Sequence, residues 1–310
     1  MARIVESVLE LVGDTPLVRL NRIVPAGAAT VLAKLESRNP GGSVKDRIAV
    51  AMVEEAERAG QLHPGDTIVE PTSGNTGVGL AMVAAVRGYR LILTMPDDMS
   101  LERRTLLALY GAELHLTPAI EGMSGAVFAA QELVRQHGYF MPQQFVNPAN
   151  PEIHRQTTAR EILAATDGAL DAFVAGVGTG GTLTGVAEIL KRELGGRQHR
   201  PLVVAVEPTK AAVLSGGRPA PHGIQGIGAG FIPGVFNREV VDRVIAVTDE
   251  DALATTRQLV RQEGLLVGVS AGANVFAANL IAREFGAGHT VVTILPDTGE
   301  RYLSTFQSAR

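Results

Sequence analysis

Residues 172–182 read Ala172-Phe173-Val174-Ala175-Gly176-Val177-Gly178-Thr179-Gly180-Gly181-Thr182, and residues 183–193 continue with apolar side chains at helical spacing. An apolar run, a glycine turn and a helix, in that order, form the unit from which parallel sheets are wound. Glycines let the backbone close around an anion at a helix start, where N–H groups converge, and such a loop suits a phosphate. Gly176, Gly178 and Gly181 also satisfy G-x-G-x-x-G, and Glu207 ends the next apolar run where a ribose-binding acid would stand. At this point a dinucleotide competes with a smaller phosphorylated cofactor.

The same alternation extends outward on both sides. Residues 202–206, 244–247, 266–269 and 290–295 read as strands downstream, with a helix over 249–263. Upstream, 30–35, 67–69, 90–94 and 113–116 read as strands, and 43–60, 77–87, 100–110 and 124–137 as helices. The pattern predicts an α/β protein with two open, twisted parallel-sheet domains, helices on both faces and sites at the carboxyl ends of strands. Two Asn-Pro pairs within 145–151 break the alternation and mark a boundary or hinge.

Composition narrows the function. The 310 residues are 45% hydrophobic, which excludes disorder, and contain no Cys, which excludes disulfides, thiolate nucleophiles and Cys-ligated metals. The 7 His are scattered without ligand spacing, so no metal centre is expected. A net charge of −4 and 4% aromatic residues argue against a nucleic-acid partner. The uncharged run 264–282 is nominally long enough for a bilayer, but its Ser270, Asn274, Asn279 and glycines fit a strand, a turn and a core helix better. No membrane partner and a cytoplasmic location are therefore expected, with no apolar stretch of signal-peptide length at the start.

Three further loops carry chemistry. Of 28 basic residues only Lys34, Lys45, Lys191 and Lys210 are lysines, and only a lysine amine can form a Schiff base. In Gly41-Gly42-Ser43-Val44-Lys45-Asp46-Arg47, Ser43 is placed to cap a helix with Lys45 in its first turn, where the helix dipole favours the neutral amine. In Thr72-Ser73-Gly74-Asn75-Thr76-Gly77, four hydrogen-bonding side chains share one helix start, more than a cap requires, and favour a carboxylate or phosphate. Gly268-Val269-Ser270-Ala271-Gly272 matches the nucleophile elbow, but only His289 follows and the acids are out of order, so Ser270 reads as a hydrogen-bonding residue at a strand end. A phosphate, a carbonyl that takes a lysine and a carboxylate-bearing substrate together suit pyridoxal 5′-phosphate acting on an amino acid.

With these motifs the chain resembles the cysteine synthases (O-acetylserine sulfhydrylases, sulfide-using A type) of the fold-type II pyridoxal-phosphate enzymes. The likeness also rests on Thr15-Pro16-Leu17-Val18-Arg19-Leu20, Gln143-Gln144-Phe145, Gln225-Gly226-Ile227-Gly228-Ala229-Gly230-Phe231 and Gly299-Glu300-Arg301-Tyr302. It implies a tryptophan synthase β-like fold with a smaller, mobile domain over 35–145 and a larger cofactor domain of 1–34 plus 146–310. It further implies that Lys45 forms the internal Schiff base and acts as base. Asn75 would meet the cofactor's 3′ oxygen, Gly178, Thr179, Gly180, Gly181 and Thr182 would hold its phosphate, and Ser270 would face the ring nitrogen. Thr72, Ser73, Thr76 and Gln144 would grip the substrate carboxylate. The implied reaction is β-replacement: O-acetyl-L-serine and sulfide become L-cysteine and acetate through an aminoacrylate, with ping-pong kinetics. Serine or O-phosphoserine as donor, or homocysteine as acceptor as in cystathionine β-synthases, is the alternative. A homodimer and the C-terminal tail of serine acetyltransferase are the implied protein partners.

Overall fold

The computed structural model describes residues 4–196 and 200–308. In chain order its elements are β1 (Leu17–Leu20), β2 (Thr30–Leu35), α1 (Lys45–Arg58), β3 (Thr67–Pro71), α2 (Asn75–Arg87), β4 (Arg90–Pro96), α3 (Leu101–Leu109), β5 (Glu113–Thr117), α4 (Gly122–His137), α5 (Ala149–Ile153) and α6 (Ala159–Thr166). There follow β6 (Ala172–Gly176), α7 (Gly181–Leu194), β7 (Leu202–Pro208), β8 (Arg243–Val247), α8 (Asp249–Gln258), α9 (Val269–Phe285), β9 (Thr290–Leu295) and α10 (Leu303–Ser308). The chain divides into two compact units, Met1–Val12 with Asn39–Ala149, and Gly13–Arg38 with Asn150–Arg310.

The first unit is built on a parallel sheet in the order β3-β4-β5. Phe140 adds a backbone bridge outside β3: Val69 N–H donates to its carbonyl at 2.8 Å and its own N–H donates to Thr67 O at 3.0 Å. Strand side chains alternate between two faces. Ile68, Leu91, Leu93 and Met95 join Ala49, Val53, Leu80 and Val83 of α1 and α2, while Val69 and Ile92 meet Ala130 of α4 on the other side. Leu9 packs on the α1–α2 side, which ties the segment before Val12 to this unit.

The second unit carries six strands in the order β1-β2-β9-β6-β7-β8, parallel except for β1 against β2. Ala172 and Val174 face α8 and α9, and Phe173 and Ala175 face α6 and α7, so helices cover both faces as the alternation predicts. From β6 the chain winds outward through β7 and β8, then returns to place β9 on the other side of β6. Ligands of open parallel sheets gather where strand order reverses in this way, outside the carboxyl ends.

One local expectation needs correction. Residues 266–269 do not form a strand: Val267 makes a single antiparallel bridge with Thr298, and Val269 already opens α9. The run 264–282 is apolar because α9 is buried almost all round, its Gly272 lying so close to α8 that a Cβ would overlap the Ala252 carbonyl. Among the described residues no helix is long and apolar enough to cross a membrane. The second Asn-Pro pair lies inside α5, which runs through a π turn at His154–Thr158 into α6, since Pro151 sits in a first turn where its missing N–H costs nothing.

Candidate active site

Lys45 heads α1, but the residue before it is not the expected cap. Val44 occupies that place in helical conformation with no capping bond, and Ser43 Oγ accepts the Lys45 N–H at 3.2 Å. The turn is already closed from Ser43, whose carbonyl accepts the Asp46 N–H at 3.2 Å, while Asp46 Oδ2 accepts from Gly41 N–H at 2.6 Å. Gly79 of α2 lies against this helix head: a Cβ there would stand 3.1 Å from the Lys45 carbonyl and 2.9 Å from Ala49 Cβ. Removing that Cβ lets the lysine and the start of α2 approach within one rigid core.

The start of α2 is open. Gly74 precedes it in extended conformation and no side chain caps it, so the hydroxyls of Thr72, Ser73 and Thr76 are not consumed as a helix cap. Thr72 Oγ1 accepts the Gly74 N–H at 3.2 Å, which folds the loop into a concave turn. Thr76 Oγ1 donates to Gln144 Oε1 at 2.6 Å, and both residues are buried. With its oxygen so engaged, Gln144 presents its amide N–H₂ as the donor end. The amide of Gln144 and the hydroxyls of Thr72 and Ser73 suit a carboxylate, with the Thr76 hydrogen spent on orienting Gln144.

One residue of this half carried no role in the sequence reading. Glu70, at the end of β3, is 1% exposed, and its carboxylate accepts the N–H of Gln143 at 2.9 Å and of Gln144 at 3.1 Å. Gln143 stands at φ +58°, left-handed backbone that a side chain seldom adopts. Burial pushes the Glu70 carboxyl up to about 7, against the lowering effect of the two amide bonds. A carboxylate two positions before a donor-rich loop was the available signal.

The second unit holds the glycine loop, between the end of β6 and the start of α7. Gly180 stands at φ +82° and precedes α7 without a side-chain cap. A Cβ on Gly178 would overlap the Gly226 carbonyl, and one on Gly181 would overlap Asn150 Oδ1. Thr179 Oγ1 accepts from Asn150 Nδ2 at 3.0 Å and from Gly181 N–H at 3.3 Å, leaving its own hydrogen to donate. Thr182 Oγ1 lies 3.1 Å from His154 Nε2, and His154 Nδ1 lies 2.8 Å from Thr158 Oγ1 within the π turn. An uncapped helix of fourteen residues with glycine backbone and two hydroxyls at its head fits a phosphate monoester.

Ser270 is buried in the first turn of α9, beside the same loop system: a Cβ on Gly226 would sit 3.7 Å from Ser270 Oγ. One turn on, Asn274 Nδ2 donates to the Ile294 carbonyl at 2.8 Å, fixing α9 to the end of β9. The rival readings lose their residues. Glu207 accepts from Leu214 N–H at 2.8 Å and Ser215 Oγ at 2.5 Å, so its carboxylate is committed inside the fold rather than to a ribose. His289 lies before the amino end of β9 against Phe285, away from the carboxyl end that α9 leaves, so no triad forms around Ser270. Lys34 is fully buried on Glu161 Oε2 at 2.6 Å, Lys191 is 2.7 Å from Asp242 and Lys210 is 2.7 Å from Asp249. Those three amines are already engaged by acids, and of the four lysines Lys45 is the one that lies beside the donor-rich loop.

Comparison with known proteins agrees with this fold. A family profile described as "Pyridoxal-phosphate dependent enzyme" matches residues 8–297. A cysteine synthase of Staphylococcus aureus (strain Mu50 / ATCC 700699) is 56% identical over 302 residues, 97% of this chain and 96% of the relative. The crystal structure of an O-ureido-L-serine synthase superposes with a TM-score of 0.94 at 49% identity, covering 98% of this chain and 95% of the other. That of a cysteine synthase from Entamoeba histolytica gives 0.93 at 43% identity, covering 98% and 90%. The profile spans both sheets and every loop described above, and this chain belongs to the pyridoxal-phosphate-dependent enzymes of that fold.

Proposed function

We propose that the enzyme makes L-cysteine and acetate from O-acetyl-L-serine and sulfide by β-replacement, in two half-reactions with ping-pong kinetics. The observation that carries this reading is the juxtaposition, within one unit, of Lys45 at the head of α1 and the donor-rich loop at the head of α2, closed on each other at Gly79. The 56% identity to a cysteine synthase over nearly the whole chain supports it.

Bound pyridoxal phosphate supplies a carbonyl for an amine and a conjugated ring that spreads the charge left at the α-carbon. The chain's residues then divide the work. Lys45 holds the cofactor through its amine and, once displaced, removes the α-proton and returns it. Asn75 addresses the ring's 3′ oxygen, while Gly178, Thr179, Gly180, Gly181 and Thr182 hold the phosphate. Thr72, Ser73, Thr76 and Gln144 orient the substrate through its carboxylate, which fixes the leaving group on the β-carbon. Ser270 offers the ring nitrogen a neutral hydroxyl, which does not hold it protonated as an aspartate would, and this favours elimination and replacement over transamination.

The visible spectrum tests the reading directly. O-acetyl-L-serine should shift the absorption band of the purified holoenzyme and sulfide should restore it, with cysteine and acetate formed in equal amounts. A holoenzyme that ignores O-acetyl-L-serine sinks the proposed donor and turns attention to serine and O-phosphoserine. The likeness to an O-ureido-L-serine synthase supports a second reading with the same fold and a different acceptor. Steady-state rates with sulfide, hydroxyurea and homocysteine separate these. The reading also carries a cytoplasmic homodimer and serine acetyltransferase as partner, tested by light scattering and by titration with that enzyme's C-terminal peptide.

A further inference from the structure

Glu70 combines three observations that nothing in the proposed chemistry uses. It is buried at the carboxyl end of β3, both its oxygens accept backbone N–H groups, and those groups belong to the consecutive residues Gln143 and Gln144. The segment it holds arrives from the far side of α4, 74 positions away in the chain. Gln144 in turn accepts the Thr76 hydroxyl, whose residue belongs to the loop that begins two positions after Glu70 itself. The circuit from Glu70 through Gln144 to Thr76 thus closes on its own strand end, and it fixes which way the Gln144 amide faces. A shorter side chain would leave at least one of the two amides without its acceptor inside the core.

We infer that Glu70 is a positioning residue for substrate: it clamps the Gln143–Gln144 turn so that the Gln144 amide, oriented by Thr76, and the Thr72 and Ser73 hydroxyls face one carboxylate together. This rests on the reading of Thr72, Ser73, Thr76 and Gln144 as the carboxylate site. Glu70 touches neither substrate nor cofactor and acts through Gln144.

A double-mutant cycle on the holoenzyme tests it, with L-alanine as probe because it carries the α-carboxylate but no leaving group. Binding is read from the change in the visible band, and cofactor content and the unliganded band are recorded for every variant. Gln144→Ala and Glu70→Ala are each expected to weaken L-alanine about tenfold or more with cofactor content unchanged. The double variant should bind no worse than Gln144→Ala alone, since the two residues act as one device. Additive losses in the double variant, or Glu70→Ala binding like the parent while Gln144→Ala does not, overturn the inference and leave the proposed function standing. Unchanged binding in Gln144→Ala removes the carboxylate reading of that residue and this inference with it. Should Glu70→Ala fail to accumulate as folded holoenzyme, Glu70→Asp, one methylene too short for both amides, replaces it in the same cycle. A second readout needs no substrate: amide hydrogen exchange at Gln143 and Gln144 should be faster in the cofactor-free Glu70 variant, and equal exchange refutes the clamp.

Discussion

Glu70 meets two opposed demands: the fold buries it, and its two backbone bonds want it ionised. Its carboxyl sits near 7 in the folded chain against 4.5 in a free one. Below 4.5 both folded and unfolded chains hold the proton; between 4.5 and 7 only the folded chain does, so this proton's stabilising contribution is full at low pH and is lost as pH rises through 7. Glu70→Gln removes the titration. The stability advantage of the parent over that variant should therefore shrink between pH 5 and pH 8, by at most about 3 kcal/mol, as read from thermal melts of the two holoenzymes side by side. A constant difference would mean that Glu70 is ionised throughout. Lys45 and the loop at residues 72–77 were singled out as candidates without the fold, because lysine is rare in this chain and four donors in one turn exceed what a cap needs. Glu70 was not, since its partners lie 73 and 74 positions away.

Elements whose sequence signal is local were read correctly and those that depend on neighbours were not. The strand Thr30–Leu35 and the β6–α7 unit announce themselves by apolar runs and glycine turns. β1 is a short antiparallel edge strand whose register exists only against β2, and residues 266–269 have a strand's composition but only a single bridge to pair with. Within the glycine loop the requirement is steric as well as conformational. Gly181→Ala would drive a methyl into Asn150 Oδ1, the residue whose amide steadies Thr179. We expect about tenfold or greater loss of affinity for pyridoxal phosphate, measured by titrating the cofactor-free protein, with far-UV circular dichroism unchanged. Gly196→Ala, where a Cβ would meet nothing within 4 Å, is the control and should bind the cofactor as the parent does.

The whole chain offers four lysines, of which three are committed to acids. Borohydride reduction of the holoenzyme followed by peptide mapping should leave the cofactor covalently fixed to Lys45 alone. Label on Lys34, Lys191 or Lys210 would contradict the reading of the first unit's helix head. The committed lysines also show why the charge pattern was only partly readable: Lys191, placed on a helix by the sequence, is 14% exposed at its side chain because Asp242 and Arg200 share its corner.

The six-stranded sheet has a consequence for how the molecule is made. Its central strand β9 is also its last, beginning at Thr290, and it alone joins β1 and β2 to β6, β7 and β8. A chain leaving the ribosome therefore exposes β2 for about 250 residues of synthesis before its inner edge can be covered, tens of seconds at ~5–20 residues per second. The three-stranded sheet is complete once Thr117 has emerged and needs no such wait. The unfinished edge of β2, apolar at Val31 and Ala33, is where nascent chains would stick to one another, and where a holding chaperone would be most needed.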